Sequence, residues 1–175
     1  MGRAPVLLLA LALLPAWLPV RAAGPAPEPT AETKLKAAIV YNIIAFVQWP
    51  EGSGRRPDFV LCVADGDELG AGLFALDGQD AGGRRIRVRS ESGGRAGSCD
   101  ALYVTPGGMA LLRQLGNSAV LTIAAAHGMV DQGVMVNLVQ EGRRVGFDIG
   151  AGALRRAGLA ASAKLLRLAR YVRED

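Results

Sequence analysis

Cys62 and Cys99 are the only thiols in the chain, and their chemistry depends on the compartment around them. In an oxidising space they could close a bridge; in a reducing one, a cysteine inside an apolar strand is a small buried residue. Both readings stand on the residues alone. If the strand carrying Cys62 neighbours the one that begins at Cys99, as is usual in an open α/β sheet, the sulfurs come within reach. Closing that loop would stabilise the domain by about 4 kcal/mol. The single histidine, His127, has no HExxH, CxxC or second imidazole to complete a metal site. Ser98, Ser118 and Ser162 lack the strand-turn-helix context of an activated nucleophile. We expect no catalysis, no metal and no cofactor.

Two other groups could bind rather than react. Asp65-Gly66-Asp67, followed by Gly70 and Gly72, sits at the end of an expected strand, where open sheets take small molecules. It matches no phosphate-binding loop, and paired carboxylates repel phosphate, so Asp67 reads first as a plain helix cap. Arg155, Arg156, Arg170 and Arg173 gather towards the C-terminus. They form either a solvated face, where a reversal such as Arg170→Glu would leave stability nearly unchanged, or a docking surface for an acidic partner.

A compact α/β domain is needed to position them. Thr30 can cap a helix running to about Gln48, which then meets Trp49-Pro50 and stops. That helix is apolar nearly all round from Ile39, more than one sheet face can hide, so a homodimer is expected. Phe59 to Ala64 reads as a central strand and Glu68 to Leu76 as the helix after it. Arg85 to Arg89 alternates charged and apolar residues as a strand near a sheet edge, and Asp100 to Thr105 and Val120 to Ala124 are further strands around a helix from Pro106 to Leu115. Val134, Val136 and Leu138, then Val145, Phe147 and Ile149, alternate as an antiparallel hairpin. A turn at Glu141-Gly142 would pair Leu138 with Val145, Val136 with Phe147 and Val134 with Ile149. Leu165, Leu168, Ala169 and Val172 then follow helical spacing and could cover the hairpin. The fold class is a single α/β domain, mostly parallel, closed by this hairpin, with helices on both faces.

The first residues belong to another category. Met1-Gly2-Arg3, the apolar Val6 to Leu14 and Val20-Arg21-Ala22 read as a secretory signal peptide over residues 1–22. A flexible Ala, Gly and Pro lead over 23–33 precedes the domain at 34–173. Cleavage removes Arg3 and Arg21 and lowers the formal net charge from +4 to +2. The remaining arginines are dispersed and lack interleaved aromatics, so nucleic acid is not an expected partner.

Two stretches carry a resemblance. Lys36-Ala37-Ala38, Tyr41-Asn42 and Phe46-Val47-Gln48-Trp49-Pro50 at one end, and Gly133-Val134-Met135-Val136-Asn137, Val145-x-Phe147-Asp148-Ile149 and Ala157-Gly158-Leu159 through Lys164-Leu165-Leu166 at the other, resemble the YfiR-like family of bacterial periplasmic proteins. The resemblance implies a non-catalytic periplasmic regulator that docks on and represses the sensory domain of an inner-membrane signalling protein, a diguanylate cyclase or a sensor kinase. It also implies a redox response at Cys62 and Cys99. The family's second cysteine pair is absent, Gly150 stands where an asparagine is frequent, and Ser162-Ala163 replaces paired serines. The alternative is a periplasmic solute sensor binding at Asp65, Gly66 and Asp67.

Overall fold

A computed structural model describes residues 28–52, 56–64 and 66–175. The expected signal peptide, residues 23–27 of the lead and Asp65 lie outside the described residues, and the last three residues of the lead belong to the first helix. No described helix is long and apolar enough to cross a membrane.

Helix α1 spans Ala31–Phe46, with the Thr30 side chain accepting the Thr33 amide as its N-cap. Val40, Ile43 and Ile44 are buried, while Leu35 is 47% exposed. The helix stops two residues short of the expected Gln48. Val47–Gln48 instead form β1, paired antiparallel with Ala160–Ala161 much later in the chain. The approaching Trp49-Pro50 already favours extended backbone, and the pairing supplies the hydrogen bonds that a frayed last turn would lack.

Strand β2 is Asp58–Val63, and α2, Glu68–Leu73, is capped by Asp67 and extended by a 3-10 turn over Phe74–Leu76. Next come β3, Asp80–Ala81, and β4, Arg84–Ser90, then β5, Ala101–Tyr103. A 3-10 turn at Pro106–Gly108 leads into α3, Met109–Leu115, and then to β6, Leu121–Ala124. The hairpin is β7, Val136–Glu141, and β8, Arg144–Gly150. The chain closes with α4, Ala151–Arg156, β9, Ala160–Ala161, α5, Ala163–Leu168, and β10, Tyr171–Arg173.

Among the described residues, eight strands form one sheet in the order β10-β8-β7-β6-β5-β2-β4-β3. It is parallel from β4 to β7, with β7 antiparallel to β8. The expected fold class holds. Strand alternation divides the core between two faces. Phe59, Leu61 and Val63 pack on the side of α1, α2 and α5, and Cys62 and Ala64 on the side of Leu115 from α3 and Met129. The helix pair α1 and α2 approaches closely because Gly72 leaves room for Thr33, whose methyl would lie 2.3 Å from an added Cβ.

Two expectations at the C-terminal end fail. The hairpin pairs Val136 with Ile149, Leu138 with Phe147 and Glu141 with Arg144, two residues away from the expected register. A turn centred on Glu141-Gly142 would need positive φ at a glutamate, whereas the observed one puts Gly142, φ +58°, first. A shift of two preserves the face, so the apolar stripe stays inside. The terminal helix also ends early: Ala169 is extended, and β10 joins the sheet parallel to β8. Leu165 is buried with Phe147, but Leu168 is 61% exposed.

Phe147 therefore packs across from Leu138, and Phe147→Ala should lower unfolding stability by about 3–5 kcal/mol through the cavity it leaves. Equilibrium denaturation measures this; a loss within about 0.5 kcal/mol would contradict the burial described here.

Candidate functional site

The site forms where the chain returns from β4 to the sheet centre. Cys62, on β2, and Cys99, just ahead of β5, are bridged, with Cα atoms 5.9 Å apart. β2 and β5 are adjacent and parallel, so the expected strand neighbourhood and the bridge are both present. Both residues are buried, at 0% and 2% exposure. In the β2–β4 register Cys62 lies opposite Arg89. The Arg89 Nε–H donates to Cys62 Sγ at 3.2 Å, and its Nη2 lies 3.7 Å from Cys99 Sγ and also donates to the Ser98 hydroxyl.

Glu91, buried at the end of the same strand, accepts the amides of Gly93 at 3.1 Å and Arg95 at 3.2 Å. Its carboxyl and both sulfurs lie within 4.8 Å of one another. The bridged sulfurs are covalently committed. Opening the bridge would place two thiols against a guanidinium, which favours a thiolate, and beside a carboxylate, which opposes one. Only that reduced state offers Cys62, Cys99 and Glu91 as a ligand set for a soft metal ion.

The residue after the bridge is held as firmly. The Asp100 carboxylate, 2% exposed, accepts the Val60 amide at 2.7 Å and one guanidinium each from Arg84 and Arg56, both at 3.0 Å. Arg84 also stacks over Phe59, whose ring meets Trp49 edge-on with centroids 5.3 Å apart. The sequence pattern marks Arg85 to Arg89 only as a strand near a sheet edge and does not reveal the roles of Arg84 and Arg89. The available signal was parity: Arg84 shares its face with Ile86, Arg89 with the face of Cys62.

Asp67 is committed as well. One carboxylate oxygen accepts the Gly70 amide at 2.7 Å as helix cap, and the other accepts the Tyr103 hydroxyl at 2.6 Å. Tyr103 is 1% exposed. Burial first, and then the Asp67 hydrogen bond and charge, push its phenol well above the ordinary tyrosine range. Gly66 lines a cleft of about 430 Å³ with Val63, Gly70, Phe74 and Glu91, at the carboxyl ends of β2 and β4. Of the expected ligand-binding trio, then, Gly66 faces a cleft, Asp67 serves the fold, and Asp65 lies outside the described residues.

The C-terminal arginines form a face of mixed charge. Arg155 pairs with Glu174 at 2.7 Å, and Arg173 with Asp131 at 2.8 Å and Asp175 at 2.9 Å. Arg170 grips Asp148 through two bonds of 3.0 and 2.9 Å and also pairs with Glu141, partners that raise its pKa, Asp148 foremost. Since Asp148 is itself buried, Arg170 is not a free surface charge, and its reversal would not be neutral as expected. Arg156 stands apart, lining a different cleft. His127 is exposed and shares a further cleft with Asp131, Asn137 and Arg170.

Over residues 33–170 the sequence matches the family described as YfiR/HmsC-like. No curated protein matches it. The fold is similar to a conserved domain protein from Vibrio cholerae O1 biovar eltor strain N16961, with TM-score 0.55, 12% identity, and 81% of this chain and 60% of that one covered. It is also similar to the ABC domain in complex with L-Trp from Streptococcus pneumonia, with TM-score 0.52, 11% identity, and 80% and 60% covered. At such identities the likeness is one of fold, and the matched region spans 60% of each of those chains.

Two measurements check the site. Reducing the bridge, or replacing both cysteines by serine, should remove about 4 kcal/mol of stability, given the sequence separation of 37. Calorimetry should record a melting point lower by roughly 8–16 °C; an unchanged one would contradict a stabilising bridge. Tyr103→Phe should cost about 1.5–3 kcal/mol at neutral pH by removing a hydrogen bond to a carboxylate. Because folding raises the Tyr103 pKa, its contribution is complete below the unfolded value of about 10 and is lost as pH rises beyond it. The Phe variant should therefore lack that part of the alkaline decline; equal declines would contradict the burial of the phenol.

Proposed function

The chain belongs to the YfiR/HmsC-like family, and from that premise we propose that it is a non-catalytic periplasmic regulator. In this reading it binds and represses the periplasmic sensory domain of an inner-membrane signalling protein, a diguanylate cyclase, and changes its grip with redox state. The observation that carries the redox part is the position of the bridge, between central strands β2 and β5 and beside Arg89. A thiol reductant acting there alters the middle of the sheet rather than a loose end.

Docking is assigned to the face bearing Arg155, Arg170 and Arg173, with Arg156 set apart in its own cleft; there Tyr171 is 52% and Leu168 61% exposed. Exposed apolar and aromatic groups set among charges suit a partner surface. The large apolar side chains from Ile39 behind the expected homodimer are buried or half-buried within the chain, so self-association is assigned instead to α1 through the exposed Leu35. A second reading, a solute sensor at Gly66, draws support from its cleft, where Phe74 is 43% exposed.

Partner capture tests the proposal. Tagged mature protein should retain a membrane diguanylate cyclase from detergent extract and release it when a thiol reductant is added. Arg155→Glu removes only an exposed pair and should leave stability within about 0.5 kcal/mol, yet weaken capture. Retention unaffected by both the variant and the reductant would contradict the docking face and the redox response together.

A further inference from the structure

A cleft of about 420 Å³ opens at the amino ends of β6 and β7, between α3 and α4, at the opposite end of the parallel strands from the Gly66 cleft. Its floor is made by Leu115, Val120, Met135 and Ala153, all buried. Thr122 also lines it, but its hydroxyl oxygen is taken by the Met135 amide at 3.0 Å. Arg113, from the last turn of α3, and Arg156, from the last turn of α4, stand exposed at the rim. No aspartate or glutamate lines the cleft.

Charge decides what such a space would hold. Among the described residues Arg113 makes no ion pair. Arg156 acts on Asp175, but that carboxyl is held below its usual range chiefly by its hydrogen bond to Arg173, with Arg156 a minor influence. Two guanidiniums thus overhang an apolar floor with capacity to spare. The volume falls within the range of small-molecule sites. The polar Asn117, Ser118 and Gln132 of the lining are exposed, and the buried part is apolar apart from the committed Thr122, so a nucleotide or sugar phosphate would find few polar partners deep in the cleft. An apolar molecule with one anionic head matches both parts, since guanidinium meets carboxylate in a two-bond fork and thioether side chains adapt to an irregular tail.

We propose that this cleft binds a small apolar carboxylate, its tail on Leu115, Val120 and Met135 and its head between Arg113 and Arg156. The site involves neither the redox bridge nor Arg155, Arg170 and Arg173.

Isothermal titration of the oxidised mature protein with sodium octanoate tests it, using octylammonium and 1-octanol as tail-matched controls. Octanoate should bind one to one, 1-octanol more weakly and octylammonium not measurably. Arg113→Ala/Arg156→Ala should reduce octanoate affinity by about tenfold or more while melting as the parent does, because charge-assisted bonds are lost from exposed positions. In the unaltered protein, methyl-labelled methionine spectra should move at Met109 and Met135, which line the cleft, and not at buried Met129, which does not. Absence of binding at millimolar octanoate, equal affinity in the double variant, equal binding of octylammonium, or unmoved Met109 and Met135 methyls would each overturn the assignment.

Discussion

The bond between Cys62 and Cys99 holds the middle of the sheet together. After β2 the chain leaves for α2 and β4 on one side, then must come back across to start β5 on the other. That return runs through the glycine-rich residues 91–98, which have little apolar surface to guide them. A covalent link at the first buried residue after the loop removes much of the closure entropy. Asp100 then completes the landing. Burying a carboxylate is unfavourable unless its lone pairs are filled, and two guanidiniums and the Val60 amide fill them. The Asp100 backbone also bonds to Val60 and Leu121, so one residue ties β2, β5 and β6 together.

What sequence reading recovered follows from short-range physics. Thr30 and Asp67 read as caps because a side-chain oxygen before a helix has one obvious use, and both accept the amide three residues on. The apolar run of β2 and the alternation in the hairpin gave strands because burial on one or two faces leaves that imprint. Failures occurred where a distant segment decides the outcome. Val47 and Gln48 look helical until Ala160–Ala161 offer a partner. Tyr171 to Arg173 look like more helix until Arg170 is drawn to Asp148 and the chain is laid against β8. The hairpin turn erred for a local reason, the demand for positive φ at the first turn position.

The candidate site was half legible for the same reason. Two lone cysteines in a chain with an expected signal peptide announce themselves, but the groups around them come from another strand through cross-strand register. Arg89 reaches the sulfurs because β4 pairs with β2 at that position, and Glu91 because the strand ends there. Glu91 also lines the cleft of Gly66, so the surroundings of the bridge and a solvent-facing crevice share a wall.

Amide hydrogen exchange on the oxidised and reduced protein tests most directly whether the bridge is the reducible staple of the sheet centre. The Asp100 and Ala64 amides, which bond to Val60 and Tyr103 across β2 and β5, should lose protection by up to about a thousandfold on reduction, the equivalent of roughly 4 kcal/mol. Amides paired between Val136–Glu141 and Arg144–Gly150 should keep most of theirs. Unchanged protection at Asp100 and Ala64, or loss confined to the hairpin, would contradict the account.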